Sequence, residues 1–285
     1  MTNIEIKTRS IMDSLNNSER KVATYFLNNI ENIFSVPIAR LAEESGVSQV
    51  TWIRFCKAIG FDGLKDLKKS LFLELNSASS EVNDTSDFSD IKKHSSLEEM
   101  CNTIRNSTLQ AVEDTMKLID YDTLKTVVNL LSKASCIKLF GVGASALVAD
   151  DFCKKLLRIN KNVVFSYDMH TQLAYGANAR PEDVAIIFSY SGTTKEMLEI
   201  MNLTQDAKCP TIAITKYTKS PLLLNSDYAI YISAPEINSR SGAMSSRIAQ
   251  LTIVDLLFTS LANKNYTSVQ KYLEKSSEVC RSHKV

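Results

Sequence analysis

The sequence lacks most of the features that would narrow its role at once. Its 33 basic and 32 acidic side chains leave a net charge of +1. Bulk charge therefore advertises no nucleic-acid partner, and any such partner must be served by a local patch. No apolar run approaches the roughly 20 residues that span a bilayer. The first residues, MTNIEIKTRSIMDSL, alternate polar and apolar types and lack the continuous apolar stretch of a signal peptide. The six cysteines (56, 101, 136, 153, 209 and 280) are widely scattered and form no CxxC pair. That pattern indicates reduced thiols and no metal site. No internal repeat is visible, and no GK[ST] phosphate loop occurs. These absences predict a cytoplasmic protein with no cofactor, no metal and no membrane partner.

What is present is an ordinary globular composition, 44% hydrophobic and 23% charged over 285 residues, enough for two modest domains. Three zones follow one another. Residues 1–76 show helical periodicity with short breaks. The Ser-, Asp- and Asn-rich stretch 77–96 reads as a linker. Residues 97–285 alternate short apolar runs with amphipathic helices. The runs CIKLF (136–140), NVVFS (162–166), VAIIF (184–188), TIAIT (211–215) and YAIYI (228–232) predict strands of a parallel sheet covered on both faces. The fold class expected is an all-α bundle followed by a doubly wound α/β domain.

In the first zone Asn16 and Glu19 form a capping box for a helix through about Asn29. A second helix fits 37–45, with Pro37 in its first turn, and Gly46 breaks it. Ser48 is an N-cap for a third helix, 49–59, ended by Gly60. Helix, Gly-containing turn and helix is the spacing of a helix-turn-helix. Projected at 100° per residue, Trp52, Ile53, Phe55, Cys56 and Ile59 gather on one side, expected to be buried. Val50, Thr51, Arg54, Lys57 and Ala58 gather on the other. With Ser48 and Gln49 at the helix start, Val50, Thr51, Arg54 and Lys57 make the candidate DNA-facing set. Lys65, Lys68 and Lys69 extend it: between 54 and 69 five cations stand against Asp62 and Asp66. Spacing alone also allows a helical bundle whose solvated face carries Lys and Arg. Trp52 fits core packing better than base stacking.

In an open parallel sheet ligands bind at the carboxyl ends of the strands. Two such ends carry anion-binding chemistry here. Gly141-Val142-Gly143-Ala144-Ser145-Ala146 follows the first strand, and Ser189-Tyr190-Ser191-Gly192-Thr193-Thr194 follows the third. Each leads into a helix, whose N-terminal N–H groups favour negative charge. Ser145, Ser189, Ser191 and Thr194 add hydroxyls; Gly143 and Gly192 allow close backbone approach. The GxGxxG pattern is incomplete, since Ala146 stands at its third glycine, and hydroxyl-rich loops suit a phosphate monoester better than a pyrophosphate. Purely structural helix capping also accounts for either loop singly. Glu196, Glu236 and His170 are the candidate acids or bases of an isomerase, and no pair has a spacing that demands catalysis. Glu236 and Arg240 are also candidates for a ligand hydroxyl.

Two resemblances cover nearly the whole chain. LNNSERKVATYFLNN…IARLAEESGVSQVTWIRFCKAIGFDGLKDLKKSL resembles the N-terminal domain of the RpiR family of bacterial transcriptional regulators, with RFCKAIGFDG the most specific segment. The resemblance implies a DNA-binding motif from Pro37 to Cys56. Asn16-Asn17 replaces the usual Thr-Pro, Pro37 replaces a common Ser, and Val50 and Trp52 replace smaller residues beside Thr51, so relatives' operators do not transfer. Residues 105–265 resemble a sugar isomerase (SIS) domain through GVGASALVADDFCKKLLRI, FSYSGTTKEM and EINSRSGAMSSRIAQLTIVDLLF. This implies phosphate binding by Ser189, Ser191 and Thr194, with Ala144, Ser145 and Tyr190 lining the sugar. Together they imply a non-enzymatic regulator that senses a sugar phosphate, with amino-sugar phosphates among the candidates, and reads double-stranded DNA. A homodimer or homotetramer on a palindromic operator is the geometric expectation. The alternative is a phosphosugar isomerase with an accessory helical domain.

Overall fold

The computed structural model describes residues 2–30, 33, 36–77, 95–234 and 243–281. Most of the expected linker, 78–94, and both Glu236 and Arg240 lie outside the described residues. The chain divides into two compact units, an N-terminal one and a larger one formed by the remainder.

The N-terminal unit contains α1 (Asn3–Ile11), α2 (Asn17–Asn28), α3 (Ile38–Glu44), α4 (Gln49–Ala58) and α5 (Leu64–Ser77). Asn16 caps α2 as a complete capping box with Glu19, and Ser48 caps α4 through the Thr51 N–H. Pro37 is the N-cap of α3, one place earlier than its expected first-turn position. Gly46, at φ +65, turns the chain between α3 and α4, a left-handed conformation that costs glycine least. The core closes on Trp52, Phe55, Phe26, Leu41 and Ile59, all fully buried. Trp52 meets Tyr25 and Phe55 edge to face, at ring-centre distances of 6.0 and 6.1 Å, and its Nε1 donates to Ser45 Oγ at 2.9 Å. Trp52 is thus a core residue whose polar end is satisfied inside the turn.

One expectation for α4 is corrected. Ile53 does not join the buried face: it is 39% exposed, beside Val50 at 56%. The buried stripe is Trp52, Phe55, Cys56 and Ile59, and Ile53 lies about 100° around the helix from Trp52, on the outward arc.

The larger unit begins with α6 (Leu97–Lys117) and α7 (Tyr121–Lys133), then alternates strands and helices. These are β1 (Ile137–Gly141), α8 (Ala144–Arg158), β2 (Val163–Val164), α9 (Met169–Ala177), β3 (Val184–Phe188) and α10 (Lys195–Asp206), then β4 (Thr211–Lys216), α11 (Pro221–Asn225), β5 (Tyr228–Ile232), α12 (Met244–Lys264) and α13 (Tyr266–Arg281). The sheet order is β2-β1-β3-β4-β5, with every pairing parallel. Alternate residues feed two cores. Leu139, Ile186, Phe188 and Ile214 face the cluster with α7, α8 and α12, while Phe140, Ala185, Ile187 and Ala213 face the cluster with α10. The doubly wound expectation therefore holds, with β2 shortened to two residues. No described helix is long and apolar enough to cross a membrane. All six cysteines are free, and burial pushes the Cys56 and Cys209 thiols up to about 12.

Asp114 is a charged residue inside this unit, 4% exposed, with Gln110 Nε2 donating to it at 2.6 Å. Burial outweighs that bond and raises its carboxyl from 3.8 to about 6. The folded chain thus retains a proton that the unfolded chain releases. The contribution is complete below about pH 4 and is lost as pH rises through about 6. Asp114→Asn is expected to stabilise the unit by up to about 3 kcal/mol above pH 7 and by nothing below pH 4. Melting temperatures across this pH range check it; a pH-independent difference contradicts it.

Candidate functional site

All parallel strands of the sheet point the same way, so the helices that follow them start on one side of it. There, Val142, Gly143, Ala144, Ser145, Phe188, Ser189, Tyr190, Ser191, Thr194, Ala243, Ser246 and Gln250 line a cavity of about 500 Å³. Three helix N-termini reach it, those of α8, α10 and α12, at Gly143, Thr194 and Ala243. None is closed by a side chain at its N-cap. Gly143 and Ala243 carry no side chain able to cap, and Thr194 turns its hydroxyl to Ser189 Oγ at 3.3 Å. Helix dipoles and N-terminal N–H groups so aimed favour an anion.

The two loops are held from behind. Gln172, fully buried on α9, accepts from the Gly141 N–H at 3.1 Å and donates to the Gly141 carbonyl at 3.0 Å. This amide clamp fixes the end of β1, from which the first loop springs. In the second loop the Tyr190 carbonyl accepts from Lys216 N at 3.1 Å and from Thr215 Oγ1 at 3.2 Å, and Leu222 N donates to Gly192 O at 3.2 Å. Gly192 is buried at φ +67, and a Cβ there would stand 2.2 Å from Ser220 Oγ. Only glycine fits that position.

The sequence-predicted residues are brought together unevenly. Gly143, Ala144, Ser145, Ser189, Tyr190, Ser191 and Thr194 all line the cavity, while Gly192 lies behind it as the hinge of its loop. Ser189 is 3% exposed, and the Ser191 hydroxyl accepts from the Thr193 N–H at 3.3 Å. The Tyr190 hydroxyl donates to the Ala234 carbonyl at 3.1 Å, which sets its ring along the wall. Glu196 and His170 are exposed in helix first turns and do not line the cavity. Sequence reasoning missed Gln250 and Ser246. Gln250 is 2% exposed, and its Nε2 donates to Ser145 Oγ at 3.2 Å. The signal for both is a polar pair one turn apart, ahead of the apolar residues Ile253, Val254, Leu257 and Leu261 on the buried face of α12.

In the N-terminal unit Gln49, Val50, Arg54 and Lys57 are exposed along α4, and Lys65 and Lys69 are exposed on α5. Ser48 and Thr51 bond each other through their hydroxyls at 2.9 Å within the helix cap. Lys68 differs from the expectation of an outward cation. Its ammonium donates to the Val36 carbonyl at 2.6 Å, and burial lowers its affinity for the proton.

A helix-turn-helix unit and a SIS-type α/β unit on one chain define a class, the transcriptional regulators that carry a SIS domain. The model of the helix-turn-helix domain, rpiR family, matches residues 2–78, and that of the SIS domain matches residues 130–260. An uncharacterized HTH-type transcriptional regulator of Caldanaerobacter subterraneus subsp. tengcongensis is 34% identical over 100% of this chain and 99% of its own. The HTH-type regulator YbbH of Bacillus subtilis is 31% identical over 97% and 96%. The chain belongs to the RpiR family of HTH-type transcriptional regulators. Among solved structures, the Vibrio vulnificus NanR protein complexed with ManNAc-6P is 26% identical over 99% of both chains, with a TM-score of 0.61. The sugar isomerase domain of an RpiR transcription factor from Sphaerobacter thermophilus, 16% identical, covers 63% of this chain and 99% of its own at a TM-score of 0.56 and shares the fold.

Gly192→Ala tests how rigidly the second loop is built. It is expected to destabilise the larger unit by more than about 1 kcal/mol, from left-handed strain and the clash with Ser220. Ser220→Gly in the same chain should recover part of the loss in a denaturation midpoint. No loss in the single variant would mean that the loop moves freely.

Proposed function

We propose that the protein is a transcriptional regulator whose SIS domain binds a sugar phosphate and whose affinity for operator DNA changes with that ligand. The convergence of three helix N-termini on a hydroxyl-lined cavity carries this reading. Ser189, Ser191 and Thr194 bind the phosphate, while Ala144, Ser145, Tyr190, Ser246 and Gln250 face the sugar. Glu236 and Arg240, outside the described residues, complete the proposal. NanR, similar over its full length, is complexed with ManNAc-6P, which supports an amino-sugar phosphate as the first ligand to try. Ser48, Gln49, Val50, Thr51, Arg54, Lys57, Lys65 and Lys69 form the DNA face, with domain limits of 1–76 and 97–285. A symmetric dimer or tetramer on a palindromic operator and a cytoplasmic location belong to the same proposal.

Kinship supports the regulator reading over an isomerase, since the full-length relatives are named HTH-type transcriptional regulators. Proton abstraction next to a carbonyl needs a base within hydrogen-bond reach of the substrate. Among the described residues, the cavity lining holds hydroxyls and amides but no carboxylate, imidazole or amine.

A thermal-shift screen of ManNAc-6P and of hexose and pentose phosphates tests the ligand. At a hundredfold excess over its Kd the true effector adds about 2.7 kcal/mol, a rise of several degrees. Ser189→Ala with Ser191→Ala should erase that rise while DNA affinity persists. A panel without any shift sinks the sensor reading, and conversion of a phosphosugar by the purified protein restores the isomerase. Separately, Arg54→Ala should weaken binding to a selected duplex by about 1–3 kcal/mol. Unchanged affinity would remove α4 from the DNA interface.

A further inference from the structure

Val50 and Ile53 are large apolar side chains standing in water on one face of α4, 56% and 39% exposed. A single exposed aliphatic residue needs no explanation. These two are three residues apart, hence neighbours on the helix surface, and Gln49, Arg54 and Lys57 are exposed around them. The face is therefore apolar along its ridge, and both of its charges are positive. The buried stripe of the same helix already supplies the core through Trp52, Phe55, Cys56 and Ile59, so packing does not require Ile53 to be isoleucine.

The surroundings limit what can cover such a ridge. A partner protein's apolar groove would leave Arg54 and Lys57 at its edge without a counter-charge, whereas a phosphate backbone alone would use those cations and leave the ridge wet. A duplex major groove satisfies both. It is walled by phosphates, and its floor offers one apolar group among the base edges, the thymine C5-methyl. The spacing fits as well. Three residues of α-helix rise about 4.5 Å, against roughly 3.4 Å between successive bases on a strand.

We propose that Val50 and Ile53 form a methyl-reading ridge, so that each operator half-site carries thymines at two neighbouring positions facing α4. The inference rests on the DNA-binding reading and deepens it: it names Ile53 as a specificity-determining residue and a T·A pair as what it selects. Both side chains lack donors and acceptors, so their selectivity comes from burying methyl surface. Burial of one methyl group is worth roughly a fourfold change in affinity.

The test uses the full-length protein and duplexes enriched from a randomised pool. In the enriched duplex each thymine is replaced in turn by uracil, which removes the methyl and keeps every hydrogen-bonding group. The expected result is a roughly fourfold loss at two neighbouring positions. Ile53→Ala and Val50→Ala should each abolish the thymine-over-uracil preference at one of them. The salt dependence of binding should not change, since no phosphate contact is lost. Equal binding of the thymine and uracil duplexes by the parent protein overturns the inference while leaving DNA binding intact. So does a variant that retains the preference but shows altered self-association by light scattering, which would assign the ridge to a contact between copies. A pool that yields no enriched duplex overturns the DNA-binding reading itself, and the ridge with it.

Discussion

The larger unit depends on where its helices begin. In a parallel sheet every strand delivers the chain to the same edge, and the following helix starts there with unpaired N–H groups. At seven other helices side chains meet that need, with Thr2, Asn16, Ser48, Ser96, Asp120, Asp168 and Ser220 as caps, while α3 starts at Pro37 without one. At α8, α10 and α12 no N-cap side chain does so, and all three ends meet at one cavity. A side-chain cap contributes about 1 kcal/mol. Forgoing it three times in one place leaves these helix ends open to the cavity, at a cost to folding that the surrounding core has to offset.

That cost explains the anchoring behind the loops. Donors are useful only if they stay where they point, and a glycine-rich loop will not hold still by itself. The Gln172 clamp on Gly141, the Thr215 and Lys216 bonds to the Tyr190 carbonyl, and the fit of Gly192 against Ser220 each remove freedom from one loop. The Ser145–Gln250 bond does something more. It ties a residue of the first loop to α12, which packs against α6, α7, α8 and β5. A ligand group that took the place of Gln250 at Ser145 would therefore touch a helix of 21 residues.

Local features were legible in the sequence. VAIIF and YAIYI became β3 and β5 at their expected limits, because a run bounded by turn residues leaves little choice of end. The capping box at Asn16 and the cap at Ser48 fell where the residues put them. What escaped was set by tertiary context. Projection at 100° per residue groups Ile53 with the buried side, yet the packed bundle leaves it 39% exposed while Trp52, Phe55, Cys56 and Ile59 are buried. Lys68, placed with the basic set by charge alone, also donates to the carbonyl of Val36, 32 residues away. Gln250 lies 105 residues from Ser145 in the chain, and no local pattern links them. NVVFS shrank to Val163 and Val164, which pair with Ile137 and Lys138 of β1 at the sheet edge.

A cavity of hydroxyls, amides and helix ends is suited to holding a phosphorylated ligand, and holding it is enough for a regulator. Catalysis requires groups that exchange protons near neutral pH at the reacting carbon. Linkage requires only that the ligand bind two arrangements of the protein unequally. The threshold is low, since a difference of about 1.4 kcal/mol shifts an equilibrium tenfold. A hydrogen bond to a charged group contributes about 1.5–3 kcal/mol. One hydroxyl reaching the phosphate in one arrangement and not in the other would therefore suffice. Ser145, which lines the cavity and bonds Gln250 of α12, stands where such an exchange of partners would be made.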